Sequence, residues 1–109
     1  MQISDYRKKV KETFKIIDDL CQKKGKDYSK AGDTLLNFKN TAKILNVFGW
    51  QVNGTEVKAS DVTTFFELIK LLRKVNLRGR TAQNESVKDT IEDQVNYILL
   101  GAACLEDEQ

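Results

Sequence analysis

The sequence predicts an all-α domain of four helices, bundle-like, with one short hairpin or loop inserted between the second and third. Three observations predict it. The 109 residues include no proline and only six glycines, so few positions break a helix. Four segments repeat apolar residues every three or four positions, the period of one helix face. Short apolar–polar alternation around an Asn-Gly pair marks one stretch as non-helical. The length is one domain's worth, so residues 1–109 read as a single domain.

The first helix is expected from Ser4 to about Lys24. Ser4 can accept a hydrogen bond from an orphan backbone N–H, and Asp5 suits the positive end of the helix dipole. Tyr6, Val10, Phe14, Ile17 and Cys21 form its apolar stripe, and Gly25 is expected to stop it. Residues 25–33 read as a polar loop. A second helix is expected from near Asp33 to Val47, with a stripe of Leu35, Phe38, Ala42 and Leu45. In the insert, residues 49–60, Asn53-Gly54 is a tight-turn signal and Trp50 is expected to anchor the segment to the core. The third helix, from Ser60 or Asp61 to Asn76, is the most apolar and is expected to be central. The fourth starts at Asn84, runs to about Leu105, and leaves a fraying EDEQ tail.

Composition excludes several classes of function. With no His and two cysteines in separate apolar stretches, there is no zinc-ligand spacing and no His-based triad. Cys21 and Cys104 read as reduced core thiols. A formal net charge of +2 is too small to argue for nucleic acid. No apolar run approaches the roughly 20 residues that cross a bilayer, and the basic N-terminus lacks the apolar core of a signal peptide. The expected location is the cytoplasm. No P-loop, GxGxxG or GxSxG is present.

Three constellations could carry chemistry. On the last helix, Val87, Ile91, Val95, Ile98, Ala102 and Leu105 form an apolar stripe. A second stripe on the far side reads Glu85, Asp89, Asp93, Asn96, Leu100, Ala103, with Glu92 beside its acids. Three carboxylates at four-residue spacing repel one another on a lone helix. Either solvent or salt bridges to Lys70, Arg73 and Lys74 offset that repulsion, or the acids are hard oxygen ligands for Mg²⁺. Lys70, Arg73, Lys74, Arg78 and Arg80 form a basic run across the end of the third helix. It is either a solvated helix end with cations at the negative dipole or a phosphate-binding set. Lys26 and Tyr28, in the first loop, either belong to an ordinary polar connection or supply a phosphate contact and a stacking ring.

The segments KGKDYSKAGDTLLNF, ELIKLLRKVNL and NESVKDTIEDQVNYILL together resemble the small phage-type domains called nucleotide-modification-associated, over about residues 24–100. Those domains are in turn distantly similar to the all-α MazG-type nucleotide pyrophosphohydrolases, which hold Mg²⁺ with EExxE on one helix and ExxD on a later one. This chain departs from that pattern. Its third helix offers only Glu67, and Glu85 and Asp89 are four residues apart, not three. The resemblance implies a phosphorylated nucleotide as ligand, met by Lys26, Tyr28, Lys70, Arg73 and Lys74, with Mg²⁺ on Glu85, Asp89 and Asp93. It leaves two versions open: a Mg²⁺-dependent pyrophosphohydrolase, or a non-catalytic protein that sequesters a nucleotide signal from host defence, in the host cytoplasm if phage-encoded. A protein-interaction module is the third reading. Amphipathic helices of this length in so small a domain also predict a homo-oligomer.

Overall fold

A computed structural model describes residues 1–28, 32–81 and 86–109, with side chains described for 1–23, 32–81 and 86–109. The architecture is all-α. Helices α1 (Ile3–Tyr28), α2 (Leu36–Val47), α3 (Ala59–Asn76) and α4 (Val87–Asp107) are joined by a two-stranded hairpin between α2 and α3.

α3 and α4 are the antiparallel centre. Ser60 near the start of α3 meets Glu108 beyond the end of α4, while Lys70 farther along α3 meets Asp93 near the start of α4. The helices approach closely where Gly101 faces Thr63: a Cβ on Gly101 would lie 2.8 Å from the Thr63 hydroxyl. Thr63 and Thr90 are fully buried, and each satisfies its hydroxyl on a carbonyl of its own helix, Ser60 and Ser86 respectively. α2 packs across this pair. Phe38 from α2, Phe66 from α3 and Tyr97 from α4 form an aromatic triangle. Phe66 and Tyr97 stack at 5.1 Å, and Phe38 sits edge-on to both.

The helix starts explain themselves locally. The Asp33 carboxylate accepts the Leu35 N–H at 2.9 Å and so precedes α2. Asp61 accepts the Lys58 N–H at 2.8 Å at the head of α3. Ser86 and Asp89 form a reciprocal capping box at the head of α4. Lys39 reaches both Asp33 and Asp107 at 2.8 Å, tying the start of α2 to the end of α4. The hydrogen bond from Lys39 holds the Asp33 carboxyl below its ordinary pKa. The bonds to Asp107 and Asp33 raise that of Lys39.

Several expectations need correction. α1 does not stop at Gly25 but continues to Tyr28. Of its predicted stripe only Ile17 is buried, because just the C-terminal part of α1 has a helix to lie on. The hairpin forms where predicted, with Asn53 and Gly54 both at positive φ, as a primed turn requires. Trp50 does not anchor it: the residue is 60% exposed, and Val57 enters the core against Ala42 and Val62 instead. Ser86, not Asn84, caps α4; Asn84 itself falls outside the described residues. The chain end does not fray at Leu105, since α4 runs to Asp107 and the Glu108 carboxylate accepts from the Ser60 N–H and hydroxyl. The apolar stripe of α4 is not its core face. Val87, Ile91, Ile98 and Leu105 are exposed, and the packed side carries Thr90, Gly101 and Cys104.

The cysteines divide. Cys104 is buried, as expected, and burial raises its thiol pKa; Cys21 is exposed, outside any disulfide, and its Sγ–H donates to Asn96 Oδ1 at 3.1 Å. Thiolate is the reactive form. Ellman's reagent is therefore expected to titrate one thiol promptly in the native protein, removed by Cys21→Ser, and the second only on unfolding. Two prompt thiols would contradict the placement of Cys104.

Candidate functional site

The site grows from one face of α4 and the side of α3 that meets it. Lys70 lies on α3 opposite the exposed side of that helix, so its ammonium points across to α4. There Lys70 Nζ meets Asp93 Oδ2 at 3.0 Å, with the two side chains only 18% and 20% exposed. Partial burial strengthens such a pair relative to a surface one, because less water screens it.

Asp93 also borders a cavity of about 130 Å³ formed with Cys21, Thr34, Phe38, Asn96, Tyr97 and Leu100. Two aromatic rings wall it, and an amide, a carboxylate and a hydroxyl supply donors and acceptors. This is the chemistry that holds a flat heterocycle by its face and its edge. Its volume is below the 300–1,000 Å³ usual for small-molecule sites, so it suits one ring or one compact group.

A second feature lies one turn along α3. Ile69, Leu72, Arg73, Asn76, Leu77, Arg80 and Thr81 line an open groove of about 720 Å³. Arg73 and Arg80 therefore share one concave surface, and guanidinium forks suit phosphate oxygens.

The predicted site residues are accordingly split. Lys70 and Asp93 come together directly. Arg73 lines the groove, and Lys74 lies half-buried in the same last turn of α3. Asp89 is occupied in the capping box, where its backbone N–H and carboxylate both face Ser86. Glu67 borders a separate hollow with Ser60, Thr64, Ile98 and Leu105. The side chains of Lys26 and Tyr28, and the whole of Glu85, lie outside the described residues. Among the described residues, no three acidic or thiol side chains gather into a group that could hold a metal ion.

No family model, curated protein or solved structure matches this chain.

Sequence reasoning saw the cavity only in part: Thr34 was not singled out, and Phe38 and Asn96 were read as members of helix stripes rather than as lining. Arg80 was read as part of a basic run, without the groove that gives it a partner in Arg73. Glu92, named with the α4 acids, is buried and lies 3.8 Å from Lys88 one turn earlier. No helix among the described residues is long and apolar enough to cross a membrane.

Proposed function

We propose that this chain binds a phosphorylated nucleotide, or a closely related small anion, as a homo-oligomer in the cytoplasm. The observation that carries the reading is the half-buried Lys70–Asp93 pair at the rim of an aromatic-walled cavity, one helical turn from the Arg73–Arg80 groove. Phe38 and Tyr97 would take the face of a base, Asn96 and Asp93 its polar edge, and the two arginines its phosphates. Binding without cleavage fits better than hydrolysis. Asp89 closes a helix cap, Asp93 is neutralised by Lys70, and Glu67 borders a different hollow. Glu85, Asp89 and Asp93, with Glu67, are the acids a Mg²⁺-dependent pyrophosphohydrolase would bring together, and of these Glu85 lies outside the described residues. A protein that sequesters a nucleotide signal, as the phage-type resemblance suggests, needs only the cavity and the cations.

A thermal-shift screen of nucleoside mono-, di- and triphosphates and cyclic dinucleotides, with and without Mg²⁺, tests this. At least one class is expected to raise the melting temperature by several degrees and to be recovered unchanged. Arg80→Ala, on an exposed loop, is expected to weaken its binding about 10- to 100-fold, the worth of one charge-assisted hydrogen bond. No shift with any member of the panel would end the nucleotide reading. A hydrolysed product would replace binding with catalysis.

A further inference from the structure

α3 has two apolar faces, and the fold uses one. Val62, Thr63, Phe66 and Lys70 look toward α2 and α4. On the opposite side Phe65, Leu68, Leu72 and Val75 recur at alternating three- and four-residue steps, and they are 43%, 49%, 53% and 59% exposed. Such spacing is the seam along which two helices interdigitate. α3 is central, packed on both α2 and α4, yet among the described residues this face of it has no helix against it.

The chain as a whole exposes more surface than its mass calls for. The chain exposes 8388 Å², whereas a folded monomer of 12.4 kDa exposes about 6,100 Å². The difference is about 2,300 Å² per chain. Obligate homodimers remove 2,000–5,000 Å² summed over both subunits, so one further subunit is enough to account for it. The radius of gyration agrees, at 15.9 Å against about 13 Å for a compact chain of this length. The residues flanking the seam also favour a second copy over a charged partner. Thr64, Ile69, Leu71 and Asn76 are uncharged, and Asp61, one turn before Phe65 on the same face, is engaged in the cap at Lys58, so two identical seams can meet along Phe65–Val75 with no like charges on the seam itself.

We infer that the α3 seam of Phe65, Leu68, Leu72 and Val75 is a two-fold interface with α3 of a second copy of this chain. The inference rests on the homo-oligomer part of the proposed function and specifies its surface. Leu72 and Ile69 also line the Arg73–Arg80 groove. The partner's α3 therefore covers one wall of that groove, turning an open surface into an enclosed site.

Light scattering over a range of concentrations, on wild type and on the double variant Leu68→Glu/Leu72→Glu, tests the inference, with circular dichroism to confirm helicity. Wild type is expected at twice 12.4 kDa and the variant at the single-chain mass with its helix signal retained. Should the variant unfold, Leu72→Cys in a Cys21→Ser background is expected to give an oxidised dimer that Lys43→Cys in the same background does not. A monomeric wild type overturns both the seam and the oligomer. A dimer that survives the double variant, or one abolished instead by Tyr6→Glu/Phe14→Glu on the exposed face of α1, overturns the seam alone. Neither of those last results touches nucleotide binding, which the thermal-shift screen reads separately.

Discussion

Replacing Gly101 by valine is expected to lower stability by about 3 kcal/mol, the upper end of the usual range for overpacking. The added Cβ would sit 2.8 Å from the Thr63 hydroxyl. That hydroxyl cannot retreat cheaply. Thr63 is fully buried, β-branched, and held by its 2.7 Å bond to the Ser60 carbonyl. The two helices must separate instead, and they carry the aromatic triangle and the Lys70–Asp93 pair with them. Against a total of about 5–15 kcal/mol for a domain of this kind, the loss should reduce the thermal midpoint by more than about 10 °C. Gly101→Ala should cost less, because better helix propensity returns about 0.5–1 kcal/mol. Urea denaturation at one fixed protein concentration measures both. A valine variant within 0.5 kcal/mol of wild type would mean that α3 and α4 do not approach this closely.

Asn46→Ala is expected to cost about 2–4 kcal/mol. The Asn46 side chain acts as a surrogate strand partner for Val57: its Oδ1 accepts the Val57 N–H at 2.6 Å and its Nδ2 donates to the Val57 carbonyl at 2.9 Å. Val57 is buried against Ala42 and Val62, so truncation leaves a part-buried donor and acceptor without their partner, at about 1–3 kcal/mol each. Asn46→Asp discriminates the cause. It keeps the acceptor for the N–H but sets a carboxylate against the carbonyl, and should recover only part of the loss. Equal stability of Asn46→Ala and wild type in the same urea titration would show that the amide does not hold the hairpin to the core.

Both residues mark the boundary of what the sequence reveals. The Asn53-Gly54 turn was legible because its signal is local: two adjacent residues that tolerate positive φ. The four helices were legible through their periodicity. Gly101 was not, because its importance lies in the distance between two helices, and neither carries a motif for it. The face of α4 was misread for a related reason. Hydropathy picks out Val87, Ile91, Ile98 and Leu105, yet the packed side is built from Thr90, Gly101 and Cys104, small residues that allow close approach without looking apolar. On the site, the pairing of the α4 acids with the α3 cations was one of two open readings, and Lys70–Asp93 realises it. Asp89 went elsewhere because Ser86 stands three residues before it, a capping signal that competes with any ligand role.

The position of Trp50 decides how these stabilities can be measured. It is the only tryptophan, and its indole already lies mostly in water in the folded protein. Unfolding will change its surroundings little, so its emission maximum should move only slightly across the transition. The ring that loses an ordered environment is Tyr97, clamped against Phe66. Near-ultraviolet dichroism of tyrosine, rather than tryptophan fluorescence, is the optical signal that should follow the breakdown of the helix packing.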